Sequence, residues 1–164
     1  MTDMPSRKPQ ALLLALGNPL MGDDGVALLA ARALRRRYRE DIDVDESPIA
    51  GFALLDLLTG YSRALIIDAS ATGDAPPGTI REFARQDFTA DVSASPHYAG
   101  LPDVLALGGQ LGVPLPGEIR ILGMEIEPPE VIREGLGPVA AGSLPEFLRR
   151  AGEILDTWID PSSK

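Results

Sequence analysis

The sequence contains no cysteine and only one histidine, and its 24 acidic residues outnumber its 15 basic residues. The absence of cysteine excludes disulfide frameworks, thiolate metal sites and cysteine nucleophiles, and it is compatible with a reducing compartment. The net charge of −9 repels phosphate backbones, so nucleic acid is not an expected partner. No apolar run could span a bilayer, and the first nine residues lack the apolar core of a signal peptide. We therefore expect a soluble, cytoplasmic protein.

The composition is that of an ordinary globular domain. Hydrophobic residues make up 45% of the 164 residues and charged residues 24%, which leaves no need for a large disordered region. This length suits one domain with a continuous core. We predict a single domain over residues 10–160, between a loose N-terminal tail (1–9) and a short C-terminal tail (161–164).

Short apolar runs alternate with segments whose apolar residues recur at helical spacing. A capping box, Ser143 to Glu146, indicates the start of the last helix. The predicted strands are 11–16, 42–45, 64–67, 79–83 and 118–122, and the predicted helices are 25–38, 52–58, 101–111 and 143–158. This alternation predicts an α/β fold, a three-layer α/β/α sandwich whose twisted, mostly parallel mixed sheet has about five strands.

Ligands of such open sheets bind in the crevice beyond the carboxyl ends of the strands. Two segments of this sequence fall there. Residues 17–25 (GNPLMGDDG) follow the first predicted strand, and Asp68 directly follows the apolar run 64–67. These two segments are therefore the first places to look for a functional site.

The glycine-rich segment 17–25 does not resemble a phosphate-binding loop. It matches neither the dinucleotide fingerprint nor the Walker A pattern, and its two carboxylates would repel an anion. Asp23 and Asp24 are good candidates to cap the following helix, but a cap needs only one carboxylate. The second is available as a metal ligand, and we assign that role to Asp24. Asn18 is expected to shape the loop through a hydrogen bond from a backbone amide to its side chain.

Asp68 and His97 are the other two candidates. An aspartate at a strand end is also a common turn-former that binds nearby amides, and a lone loop histidine is also commonly solvated. His97 is the only imidazole, so any base or ligand of that kind must be this residue. A catalytic triad could recruit Ser70, Ser93 or Ser95, but no G-x-S-x-G nucleophile elbow supports one.

Together, Asp24, Asp68 and His97 offer two hard oxygen ligands and one borderline nitrogen ligand. Such a set suits a divalent ion such as nickel or zinc, with coordination positions left for substrate or water. Glu125 and Glu127 follow a predicted strand. We expect them to be solvated or to support the ligands indirectly.

Three ordered blocks resemble the hydrogenase maturation protease family, and a weaker fourth follows them. The blocks are LALGNPLMGDDGVAL (14–28), ALIIDA (64–69), SPHYAGLPDVLAL (95–107) and ILGMEIEP (121–128). The sequence departs from the family pattern at Ala27, where many members have glycine, at Gly137, where serine is common, and in the less glycine-rich segment 46–51. The last departure bears on partner specificity.

The resemblance implies a hydrolase, an aspartic-type endopeptidase that recognises nickel in the precursor of a nickel–iron hydrogenase large subunit and removes its C-terminal extension. By position, the resemblance makes Asp24, Asp68 and His97 the metal-binding and catalytic residues. Nickel would arrive with the precursor, and zinc or cadmium could replace it in vitro. We expect a monomer whose partner is that precursor, with no membrane association.

Two other functions remain open at this point. A non-catalytic, metal-dependent chaperone or adaptor for a metalloenzyme precursor would keep the same fold and site. The altered segment 46–51 and the absence of an evident nucleophile motivate this alternative. A hydrolase or phosphorylase of small substrates is a weaker alternative, because the paired acids after the first strand disfavour phosphate.

Overall fold

The computed structural model describes residues 10–48, 51–84 and 101–159. The two predicted tails lie outside these residues, so the predicted domain boundaries stay predictions. The strands are β1 (Ala11–Leu16), β2 (Ile42–Ser47), β3 (Arg63–Ser70), β4 (Ile80–Ala84) and β5 (Glu118–Glu125). The helices are α1 (Val26–Tyr38), α2 (Ala53–Leu58), α3 (Leu101–Gln110) and α4 (Pro138–Asp156), and a short 3-10 turn (Gly22–Gly25) precedes α1.

The five strands form one sheet in the order β2-β1-β3-β5-β4. Strands β2, β1, β3 and β5 run parallel to one another, and β4 pairs antiparallel with β5 at one edge of the sheet. Parallel strands are covered on both faces, which explains why β1 and β3 are nearly continuous apolar runs. The predicted mixed, mostly parallel five-stranded sheet is confirmed.

Each face of the sheet is covered by two helices. Leu13 and Leu65 contribute to the core under α1 and α4, whereas Leu14 and Ile66, one residue further along, contribute to the core under α2 and α3. This alternation follows from the two-residue period of a strand, and it confirms the three-layer sandwich. Among the described residues, no helix has both the length and the apolar character needed to cross a membrane.

The predicted start of the last helix is wrong. Helix α4 begins at Pro138, after Gly137 in an extended conformation, and the capping-box residues lie within it. Proline is favoured at the first helical position because its missing N–H would have had no partner there. Ser143 instead packs against the turn before β4, since a Cβ on Gly78 would lie only 2.5 Å from its Oγ. The helix buries one apolar face, which includes Phe147, Ala151, Ile154 and Leu155.

Strands β3 and β5 both extend three residues beyond their predicted ends. They continue together past the end of β1, because Asp68 pairs with Gly123 and Ser70 pairs with Glu125. The prediction that Asp68 directly follows its strand is therefore wrong, since Asp68 lies inside β3. Mutual pairing of the two strands satisfies the backbone groups that a shorter strand would leave buried without partners.

Candidate active site

The connection from β1 to α1 is tightly folded around Gly17. This residue has a φ of 149°, and a Cβ on it would lie 2.2 Å from the carbonyl oxygen of Asp24. Its amide donates to the carbonyl oxygen of Ser47, at the end of β2, over 3.3 Å. Only glycine fits this approach, so Gly17 determines how closely the Asp24 backbone approaches the end of β1.

Hydrogen bonds within the loop hold the Asp24 carboxylate. The backbone amide of Asn18 donates to Asp24 Oδ2 over 2.8 Å, and the amide of Leu20 donates to Asn18 Oδ1 over 3.0 Å. The second bond confirms the predicted role of Asn18 in shaping the loop. Asp24 is only partly buried, so its carboxylate combines a defined position with access from solvent.

The prediction that Asp23 or Asp24 caps α1 is wrong. Both belong to the 3-10 turn Gly22–Gly25, and Gly25 precedes the helix without a side-chain capping bond. Because both residues lie within the 3-10 turn, their backbone does not adopt the extended conformation that a capping residue needs.

Asp23 joins the turn to α4 and to the loop before it. Its Oδ1 accepts a hydrogen bond of 2.6 Å from the amide of Gly137, and it lies 3.7 Å from the Arg133 guanidinium. The amide of Gly22 also donates to the carbonyl oxygen of Arg133 over 2.7 Å. The two adjacent aspartates therefore have different partners among the described residues: Asp23 binds the start of α4, and Asp24 binds the Asn18 amide.

Asp68 is fully buried at the carboxyl end of the sheet. The β1–β3 pairing ends at Ala15 and Ile67, so Asp68 is the first β3 residue beyond it. Its Oδ1 accepts from the amide of Ala69 over 2.8 Å, which is the local bond that a turn-former would make. The 3-10 turn that carries Asp24 contacts β3. The structure thus places these two predicted residues on adjoining elements at the carboxyl ends of the central strands β1 and β3.

His97, the third predicted ligand, lies outside the described residues. Helix α3, which follows it in the sequence, packs through Leu101 and Leu105 on the face that carries Ile66, two residues before Asp68. Within residues 10–48, 51–84 and 101–159, no three acidic, histidine or cysteine side chains gather as a metal site. The complete set of Asp24, Asp68 and His97 remains a prediction.

Of the two roles expected for Glu125, solvation is wrong, because only 2% of this residue is exposed; indirect support of the ligands stays a prediction. It accepts hydrogen bonds from the amides of Thr72 and Gly73 and from the hydroxyls of Ser70 and Thr72, and it pairs with Arg81. Burial raises the pKa of Glu125, but these hydrogen bonds outweigh burial and hold the pKa below its ordinary value. Sequence reasoning missed this cluster because its donors come from a loop more than 50 residues away.

Glu127 is exposed, as expected, and it lines a cleft of about 370 Å³. One wall is formed by residues 21–23, next to Asp24, and the other by residues 127–131 and Arg133. Val131 and the neighbouring Ile132 are 67% and 81% exposed. An open cleft with exposed aliphatic residues therefore lies beside the turn that carries Asp24.

The chain is similar to proteins of hydrogenase maturation. The family model described as hydrogenase maturation protease matches residues 29–152. The hydrogenase expression/formation protein HupD of Rhizobium leguminosarum bv. viciae is 25% identical, over 94% of this chain and 78% of the relative. The protein HoxM of Azotobacter vinelandii, with the same description, is 29% identical, over 90% of this chain and 72% of the relative.

Two solved structures show the same architecture. The hydrogenase maturating endopeptidase HybD from Escherichia coli superposes with a TM-score of 0.72 and 26% identity, over 90% of this chain and 93% of that one. The [NiFe] hydrogenase maturation protease HybD from Thermococcus kodakarensis gives a TM-score of 0.66 and 27% identity, over 88% and 98%. With the family match over three quarters of its length, this chain belongs to the hydrogenase maturation protease family and is an endopeptidase of hydrogenase maturation.

Proposed function

We propose that this endopeptidase recognises nickel already bound in the precursor of a nickel–iron hydrogenase large subunit and removes the C-terminal extension of that precursor. Asp24, Asp68 and His97 would bind the nickel. The observation that carries the proposal is the contact between the 3-10 turn bearing Asp24 and strand β3 bearing Asp68. It supports a site built from both carboxylates at the edge of the sheet where open α/β folds bind ligands.

The donor set fits a divalent ion that arrives with a protein substrate. Two carboxylates supply the negative charge that offsets a divalent cation, and one imidazole adds a nitrogen ligand that nickel accepts. Asp24 is partly exposed whereas Asp68 is buried. The ion would therefore approach from the Asp24 side, next to the cleft lined by residues 21–23, 127–131 and Arg133. Zinc or cadmium would replace nickel in vitro.

Cleavage would follow from positioning. Nickel held by both proteins fixes one peptide bond of the precursor beside the carboxylates, and such positioning lowers a barrier by about 7–11 kcal/mol in favourable cases. Water would then attack the carbonyl carbon of that bond while a nearby base takes its proton. The C–N bond would break as the leaving nitrogen receives a proton, giving a new carboxylate on the precursor and a free amine on the released extension. Either the ion or a carboxylate would activate this water. The cleft beside Asp24 offers room for the extended segment that carries the bond.

The proposal includes a monomer that acts in the cytoplasm. A cysteine-free chain suits a reducing compartment. Sedimentation of the purified protein alone and with its precursor would measure the size of each species. If the active form proved to be a dimer or a larger assembly of this chain, the proposal of a monomer would be wrong.

The test incubates the purified protein with nickel-loaded and nickel-free hydrogenase precursor and follows loss of the C-terminal extension by mass spectrometry. We expect cleavage of the loaded precursor only. The variants Asp68→Asn, Asp24→Asn and His97→Ala should each lower kcat/KM by at least about 100-fold, because each removes one ligand from a site that works as a unit. Asp56→Asn, an exposed acid on α2, is the matched control and should remain active.

Two outcomes would overturn the proposal. Unchanged cleavage by the His97→Ala or Asp68→Asn variant would remove these residues from the site. Equal cleavage of loaded and nickel-free precursor would remove nickel recognition. Stoichiometric binding of the precursor without any change in its mass would instead support the chaperone or adaptor function.

A further inference from the structure

We propose that Glu125 is a positioning residue for Asp68. Its buried carboxylate binds the end of β3 and the loop that follows it, and these bonds fix the end of the strand on which Asp68 lies. The inference rests on the role proposed above for Asp68. It adds a residue from a different strand, with no contact to the substrate, on which the geometry of the site depends.

Both oxygens of Glu125 are engaged. Oε1 accepts from the amides of Thr72 and Gly73 over 2.7 and 2.8 Å, and Oε2 accepts from the hydroxyl of Ser70 over 3.2 Å and from Arg81 over 3.1 Å. The Thr72 hydroxyl lies 3.0 Å from both oxygens. The negative charge is paired and the acceptor positions are filled, so this carboxylate is suited to holding protein groups and not to binding an ion.

The bonded residues begin two positions after Asp68. Side chains two residues apart on a strand share a face, so Ser70 lies on the same face of the sheet as Asp68. On β5, the residue paired with Asp68 is Gly123, which has no side chain, and the residue paired with Ser70 is Glu125. Strand β5 therefore acts on the end of β3 through a side chain at Ser70, and it places no side chain of its own beside Asp68.

Backbone bonds lock Glu125 in turn. Its amide donates to the carbonyl oxygen of Thr79 over 2.8 Å, and its carbonyl oxygen accepts from the amide of Gly78 over 2.7 Å. The amide of Ile126 donates to the carbonyl oxygen of Ser70 over 2.7 Å. Because the carboxylate sits on a fixed backbone, the residues it binds are held relative to β5 and not merely to one another.

The test uses Glu125→Gln in the full chain, with Glu82→Gln as its matched control. Glu82 also forms an ion pair between β4 and β5, with Arg120, on the opposite face of the sheet. The amide replacement keeps the size of Glu125 but presents a donor to Arg81. We expect Glu125→Gln to lower kcat on nickel-loaded precursor by about 10- to 100-fold, because displacements of about 1 Å have effects of that size. KM should change less than kcat, and Glu82→Gln should change neither.

A second readout does not depend on the precursor. The amide of Ala69 donates to the Asp68 carboxylate, so its hydrogen exchange in the isolated protein reports on the position of that side chain. We expect faster exchange at Ala69, Thr72 and Gly73 in Glu125→Gln than in Glu82→Gln. If Glu125→Gln does not fold, Thr72→Val removes one donor and should show the same pattern with a smaller change.

The outcomes separate the two proposals. If Asp68→Asn is fully active, the proposed site is wrong whatever Glu125 does. If Asp68→Asn is inactive while Glu125→Gln keeps the kcat and the Ala69 exchange of Glu82→Gln, the positioning role of Glu125 is wrong. A loss of kcat with unchanged exchange at Ala69 would also contradict it, since the effect would then not pass through Asp68.

Discussion

The two carboxylates that we propose as nickel ligands lie in contrasting parts of the molecule. Asp24 belongs to a partly exposed turn, where the close approach of Gly17 and the bond to the Asn18 amide define the backbone. Asp68 belongs to a buried strand end, where pairing with β5 and the Glu125 cluster define it. The Asp24 half of the proposed site therefore depends on the close backbone approach at Gly17, and the Asp68 half depends on buried hydrogen bonds. Substitutions should affect the two halves in different ways.

The steric half is tested most strongly by Gly17→Ala. A methyl group would meet the Asp24 carbonyl oxygen at 2.2 Å, in a backbone conformation that disfavours a side chain. We expect the free energy of unfolding to fall by about 2–4 kcal/mol, from strain and overpacking together. Cleavage should fall as well, because Asp24 moves. Chemical denaturation measures the first effect and the precursor assay measures the second.

Gly60→Ala is the control for that substitution. Gly60 also has a positive φ, of 88°, but a Cβ there would meet no described atom within 4 Å. Only the backbone penalty should remain, about 1–2 kcal/mol, with activity unchanged. Equal losses for the two variants would mean that the close approach of Gly17 to Asp24 does not constrain the turn.

A smaller change in stability should distinguish Asp23 from Asp24, the adjacent acids of the 3-10 turn. Asp23→Ala removes the acceptor for the Gly137 amide and the partner of Arg133. We expect a loss of about 1–2 kcal/mol in unfolding free energy, because the amide at the start of α4 loses a charge-assisted bond. Asp24→Asn keeps the size of its side chain and should cost less stability but far more activity. Thermal unfolding and the precursor assay, run on both variants, would contradict this division if the two variants ranked alike in both.

The smallest expected effect is the pH dependence of the stability that Glu125 contributes to the Asp68 half of the proposed site. The pKa of Glu125 is lowered in the folded protein, so its ionised form contributes stability that is present above the ordinary glutamate pKa and is lost as pH falls through the lower, folded value. The difference in unfolding free energy between the natural protein and Glu125→Gln should therefore shrink as the pH falls from above the ordinary glutamate pKa through the lower, folded value. Denaturation at several pH values measures it. A difference that grows with acid would contradict the stabilising role of the ionised form.

Local patterns were enough to predict most of the fold. The apolar run of β1 and the helical spacing of α1 were readable because burial on two faces and burial on one face leave different periodicities. Element ends were harder. The capping box at Ser143 is a valid local signal, yet α4 begins at Pro138 because Gly137 and Pro138 supply an alternative start that tertiary packing uses.

The candidate site could be predicted only in part. Asp24 and Asp68 were candidates because they lie close to strand ends, where open sheets bind ligands, and their role in the site stays a prediction. The contact between the elements that carry them depends on the strand order, which places β3 beside β1 although β2 comes between them in the sequence. The buried state of Glu125 depends on a loop that meets β5 only after the sheet has formed.

By itself, then, the sequence determined the layered α/β architecture, the family and the acidic candidates, because periodicity and motif order are local properties of the chain. Only the tertiary structure decided which groups each of these acids binds. Asp23 binds the start of α4, Asp24 accepts a hydrogen bond from the Asn18 amide, and Glu125 is buried among donors from β3 and the loop that follows it. The physical reason is that the cost of burying a carboxylate depends on the donors that surround it, and residues distant in sequence supply those donors.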